Sequence, residues 1–206
     1  MRDRWFLMRR LMAGLIVGLL FSGCGGGSLT LTEYVDRLNA INDRVVPQAE
    51  VLISEFEQAT TPGEAGATME RMIALRIESV EATEALEPPE PIADLHQLTL
   101  SWEKRLLPIE ESFAARAGAV SGWGDFFESV EVEAYRAALV EGKRVCTEFQ
   151  ARLDATADRG VFADTPWIPS ALSEVVEARL GCDIFPEDPE NVFRPVPPTT
   201  VPDESD

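Results

Sequence analysis

The sequence predicts an all-α protein: an up-down four-helix bundle with kinked helices, plus a short fifth helix stapled to it by a disulfide. Three observations carry that expectation. Four long segments between Thr30 and Thr156 repeat apolar residues at three- and four-residue steps, the period of one helix face. No segment sustains the period-two alternation of a half-buried strand. Capping patterns, prolines and glycines punctuate the segment ends.

The first helix opens at Thr30-Leu31-Thr32-Glu33, where hydroxyl and carboxylate satisfy free backbone N–H groups of the first turn. Its stripe runs Leu31, Tyr34/Val35, Leu38, Ile41, Val45, Ala49, Leu52, Phe56, and Pro47 is expected to kink or split it. Thr61-Pro62-Gly63-Glu64 opens the second, with proline at the first helical position. Met69, Met72/Ile73, Ile77, Val80 and Leu86 form its inner face, and Pro88, Pro89 and Pro91 end it. The two methionines read as core fillers, with soft-metal binding as the alternative. The third helix carries Ile92, Leu95, Thr99, Trp102, Leu106, Ile109 and Phe113, with a kink expected at Pro108. A glycine-bearing linker follows from Gly118 to Asp125. The fourth helix repeats Val132, Tyr135, Leu139, Gly142, Cys146, Phe149, Leu153 and Thr156, with Gly160 as its C-cap. The fifth spans about Ser170 to Leu180, with Gly181 as its stop.

The chain ends differ from this body. Arg2, Arg4, Arg9 and Arg10 precede an uncharged run from Leu11 to Phe21. Those eleven positions would span about 17 Å as a helix, short of the ~30 Å hydrocarbon core, so a processed signal is preferred to a permanent span. Leu20-Phe21-Ser22-Gly23-Cys24 resembles the lipobox of bacterial lipoproteins, with Phe21 in place of the usual leucine. The resemblance implies cleavage after residue 23 and diacylglycerol on Cys24, giving an extracytoplasmic protein held to the cell membrane through that lipid. Residues 1–23 are then the signal peptide, 24–29 the lipidated cysteine and flexible tether, 30–186 the bundle domain and 187–206 a proline-rich acidic tail. Gly25, Gly26, Gly27 and Ser28 suit a flexible leash. Six prolines in residues 186–206 and an acidic terminus argue for disorder there.

The chain carries 18 basic and 36 acidic residues. The signal segment holds four Arg and one Asp, so the mature chain would keep 14 and 35, a net charge near −21. Nucleic acid is excluded as a partner, because the dominant electrostatic term has the wrong sign. Close docking on anionic lipid is disfavoured likewise. Arg outnumbers Lys sixteen to two, in keeping with a high-GC genome.

With Cys24 assigned to lipid, Cys146 and Cys182 remain, an even pair in an oxidising compartment. Their disulfide would tie the short fifth helix to the fourth. The alternative, a redox or metal pair, is less well served: there is no C-x-x-C, and no histidine lies near either cysteine in sequence.

Candidate sites are few. His96, the single histidine, lies at the edge of the third stripe with Glu103 two turns on. The two make either a ligand pair or, for His96, a boundary histidine hydrogen-bonded inside the bundle. No Glu-x-x-His, nucleophile elbow or phosphate-cradling loop occurs, so no metal, cofactor or catalytic residue is assigned. Most Glu, including Glu50, Glu55, Glu57, Glu70, Glu78 and Glu81, fall on polar faces. Trp123, Phe126 and Phe127 in the linker either bury over the bundle end or present a partner surface, and Trp167 poses the same choice.

Leu86-Glu87-Pro88-Pro89 followed by His96, and a late helix bearing Cys146 with Cys182 near the end of the fold, resemble a set of secreted or lipid-anchored helical proteins of actinobacteria and their relatives. The likeness covers about residues 30–185 and implies fold and address, with no catalytic residue carried over. The functional expectation is a non-enzymatic, membrane-anchored bundle contacting an envelope protein or wall component. The alternative is a ligand- or metal-binding lipoprotein with its site between helices near His96.

Overall fold

The computed structural model describes residues 28–180 and Cys182. Expectations for the signal segment, Cys24 with its glycines, Gly181 and the tail 187–206 lie outside the described residues. Among those described there are six α-helices and no strand. They are α1 (Leu31–Glu57), α2 (Pro62–Glu84), α3 (Ala93–Ala119), α4 (Trp123–Phe127), α5 (Val130–Asp158) and α6 (Ile168–Leu180). A 3-10 turn, Glu90–Ile92, leads into α3.

Local chemistry sets the helix starts. Thr30 accepts from the Glu33 N–H while the Glu33 carboxylate accepts from the Thr30 N–H, and Thr61 and Glu64 repeat this reciprocal box ahead of Pro62. α5 begins on Ser129, whose hydroxyl accepts from the Val132 N–H. Past its end Gly160 takes a φ of 78°, a left-handed conformation that costs glycine nothing.

Three expectations are corrected. α1 is not split at Pro47, and α3 likewise continues through Pro108, because each proline removes one backbone bond on an exposed face while buried residues on both sides hold the helix. The segment from Gly118 to Asp125 is not a plain linker: α3 extends to Ala119, and Trp123 opens a further short helix. Ile77, assigned to the inner face of α2, is 37 % exposed, and Arg76 turns inward beside it.

α2 and α3 share the most extensive contact in the molecule. Gly66 permits it, since a Cβ there would stand 2.9 Å from the Ala114 carbonyl oxygen and 3.1 Å from the Ala117 Cβ. α3 packs in turn on α5. The ring does not close in the usual way, because α1 and α5 scarcely touch and α6 packs between them. The Cys146–Cys182 disulfide, with Cα atoms 6.0 Å apart, ties the end of α6 to α5, and Asn42 Nδ2 donates to the Val175 carbonyl to tie it to α1. At 1.5 Å per residue the 13 residues of α6 reach about 20 Å, against about 40 Å for α1 and α5. One half of the space between α1 and α5 is therefore filled and the other is not.

The core divides accordingly. One cluster gathers Tyr34, Leu38, Trp102, Phe149, Leu153 and Leu172 around α6. The second joins Met69, Ile73, Phe113, Phe126 and Val132 at the opposite end. Between Trp102 and Phe113, α3 turns two carboxylates inward.

Candidate functional site

Those carboxylates are Glu103 and Glu110, 2 % and 3 % exposed. Each holds an arginine. Arg179, at the end of α6, donates from Nη2 to Glu103 Oε2 at 2.7 Å and from Nη1 to the Thr83 hydroxyl at 2.5 Å, locking α6 onto α2 and α3. Arg76 of α2 donates from Nε to Glu110 Oε2 at 2.8 Å. Burial pushes the Glu110 carboxyl above the usual carboxylate range, against the pull of the Arg76 guanidinium. Burial, and then the Glu110 charge, keep the nearby Tyr135 phenol protonated.

The two pairs floor a cavity of about 270 Å³ in the unfilled half of the α1–α5 gap. Val45, Ala49, Ile53 and Phe56 of α1 wall one side, and Met69, Met72 and Leu75 of α2 the other. Leu180 closes the end where α6 stops. Apolar walls over a small number of convergent polar groups are the usual make-up of a ligand pocket, and this volume lies close to the lower end of the ~300–1,000 Å³ range. It also explains why Val45, Ala49 and Phe56 are only half-buried although they continue the inner stripe of α1. Val45, Val46 and Ala49 flank Pro47, one of the two prolines where the sequence placed a possible pocket opening, and the short α6 leaves this stretch of the gap uncovered.

The residues singled out from sequence distribute differently. His96 is buried and does not meet Glu103, which Arg179 occupies. Its Nδ1 lies 2.9 Å from the Tyr34 hydroxyl, which burial keeps protonated; the direction of this hydrogen bond follows the ring tautomer. Burial, then the Arg179 charge, lower the His96 pKa and favour the neutral ring. The interior space beside it is about 20 Å³, room for a water and nothing larger. Outside it, a shallow depression over Leu86–Pro88 is rimmed by Glu87 and by Lys104 and Glu84, the last two paired at 2.5 Å.

The aromatic trio stays together and packs over the bundle end. Phe126 is fully buried edge-on against Phe113, with ring centroids 4.9 Å apart. Phe127 stacks on Trp123, whose indole N–H donates to the Thr60 carbonyl at 3.1 Å. Trp167 is 46 % exposed and takes no part in the core. Met69 and Met72 pack in the second cluster, and Glu50, Glu55, Glu57, Glu70, Glu78 and Glu81 are all exposed.

Sequence reading missed Arg76, Ser79, Glu110 and Arg179. A signal for the α3 carboxylate existed: His96, Thr99, Glu103, Leu106, Glu110 and Phe113 step by three and four, placing two charges inside an apolar stripe. Among the described residues no group of three or more His, Cys, Asp or Glu side chains is arranged to hold a metal ion. Nor is any described helix long and apolar enough to cross a membrane.

Fold and site together define an all-α bundle with a solvent-open cavity between helices, floored by two ion pairs. No protein-family model matches the chain, and no curated protein or solved structure matches it significantly.

Proposed function

We propose that the protein is a non-enzymatic, lipid-tethered extracytoplasmic binding protein that holds a small, mainly apolar molecule in the gap between α1 and α5. The cavity is the observation that carries this reading. A bundle selected only for stability would gain by filling that volume with side chains, since buried apolar area is the main stabilising term. The site therefore lies about two turns of α3 away from the place near His96 that the sequence suggested. The single histidine and the two described cysteines are already committed: His96 to Tyr34, and Cys146 to Cys182. The tethered address rests on the lipobox-like Leu20-Phe21-Ser22-Gly23-Cys24 and the glycine leash behind it.

Residues 25–206, exported and purified without detergent, would be examined by native mass spectrometry. A retained mass of a few hundred daltons, released by denaturation, is the expected result. A bare chain after exposure to an envelope lipid extract would sink the proposal. It would return the leading reading to a scaffold that contacts an envelope protein or wall component, for which the exposed Trp167 is the natural contact.

A further inference from the structure

We propose that the cavity takes a single-chain amphiphile with a carboxylate head, a fatty acid of medium chain length, its head on Arg76 and its chain along the α1–α2 wall. This inference rests on the ligand-binding reading above and names the ligand's chemistry.

The floor is unequal in its use of donors. Arg179 is spent, with one terminal nitrogen on Glu103 and the other on Thr83. Arg76 is not. A guanidinium carries five N–H groups, and Arg76 commits only Nε, to Glu110. Its terminal nitrogens form no hydrogen bond with any described residue, and 26 % of its side chain remains accessible. One turn along α2, the Ser79 hydroxyl lines the same floor and is likewise bonded to no described residue. Surplus donors at the bottom of an apolar-walled space call for a ligand that brings oxygen acceptors at one end and hydrocarbon at the other.

The geometry of the donor selects among acceptors. With Nε turned to Glu110, the free edge of Arg76 is the pair of terminal nitrogens, the fork that matches the two oxygens of a carboxylate. A cationic head would meet this edge with like charge. Charge balance points the same way. The titratable groups facing Arg76 are Glu110 and Glu103 from α3, Tyr135 from α5 and Arg179 from α6, while α1 lines the cavity with apolar residues only. Two carboxylates and two guanidiniums cancel, so a ligand carboxylate would leave one negative charge in excess. Glu110, whose carboxyl is already biased towards its protonated form by burial, can take up a proton as the ligand enters.

The test is titration calorimetry on residues 25–206 with dodecanoate, methyl dodecanoate and dodecyltrimethylammonium, each below its micellar concentration. These residues include every described helix, so they carry the fold. Dodecanoate should bind one to one, at least about tenfold tighter than either neutral or cationic analogue. Arg76→Gln should remove that preference. Because that variant also leaves Glu110 without its partner, Ala49→Phe serves as a second: it fills the apolar wall and should abolish dodecanoate binding while the cooperative melt is kept. Equal affinity for acid and methyl ester, unchanged in Arg76→Gln, would overturn the carboxylate assignment and leave the cavity reading standing. No binding by any of the three, with residues 183–206 present or deleted, would remove both. Binding untouched by Ala49→Phe would place the ligand elsewhere and overturn the proposal. Binding that appears only after deletion of residues 183–206 would overturn it in favour of the chain's own C-terminal segment as occupant.

Discussion

Glu103 and Arg179 form the most enclosed ion pair among the described residues, their side chains 2 % and 6 % accessible. Removing charges from water is costly, so the pair is worth little against an apolar replacement of similar shape; removing one member alone strands the other. Glu103→Ala is therefore expected to lower unfolding free energy by about 3–5 kcal/mol, measured by urea titration. Glu103→Leu combined with Arg179→Met should recover most of it. A double variant as unstable as the single one would show that the pair contributes more than mutual neutralisation. His96 gives a second expectation. Its pKa is lowered in the folded state, so the unfolded chain binds the proton first as pH falls, and stability drops through the unfolded value near ~6.5. His96→Gln should flatten the slope of melting temperature against pH between about 7 and 5. Glu110, with its raised pKa, acts in the opposite sense from the unfolded carboxylate value upward, so the comparison is made between wild type and variant on one buffer series. Parallel slopes would remove His96 as the titrating group.

Helix α6 is the element on which both stability and the cavity depend. Thirteen residues are too few to make a stable isolated helix, and its apolar face is held only by what it packs against. Three devices hold it: the Cys146–Cys182 bond, the Asn42 to Val175 hydrogen bond and the Arg179 cluster. The closed loop of 37 residues corresponds to about 4 kcal/mol in the chain-entropy account, an upper figure. Cys146→Ser should lower the melting temperature and abolish the gel-mobility change on reduction. An identical melt would mean that packing alone seats α6. Losing α6 would also open the first core cluster, to which Leu172, Val175 and Val176 belong, so hydrogen exchange in that variant should rise first in α6 and in Tyr34–Leu38 of α1.

For the whole molecule, charge and the proposed tethering bear on each other. A net charge of −18 over 206 residues keeps the surface hydrated and repels anionic headgroups, so attachment to a bilayer would fall to the lipid on Cys24 rather than to the folded surface. Under the proposed tethering, the bundle would be free to turn its cavity mouth towards solvent or membrane. Cys24→Ser is expected to abolish incorporation of labelled palmitate and shift the protein from the membrane to the soluble fraction. Retention in the membrane without label would refute lipid tethering.

Much of this protein was determined by short-range chemistry and so could be read from the chain alone. The capping boxes at Thr30 and Thr61 and the glycine at 160 act within one turn, and the structure places helix ends where they fall. The stripes of α1, α3 and α5 needed only periodicity, and pairing Cys146 with Cys182 needed only a count of cysteines with one assigned to lipid. The site was not legible in that way. An arginine prefers solvent until a partner is supplied, and the partner of Arg76 is 34 residues distant, that of Arg179 76 residues distant. Periodicity alone ranked Ile77 above Arg76 for the inner face of α2, and packing against Glu110 reversed them. The cavity is further still from local pattern. It arises because one helix of about 20 Å shares a gap with two of about 40 Å, a mismatch of lengths that exists only once the helices lie side by side. Helix formation is local in sequence; the choice of buried charge partners and of unfilled volume belongs to the packed bundle.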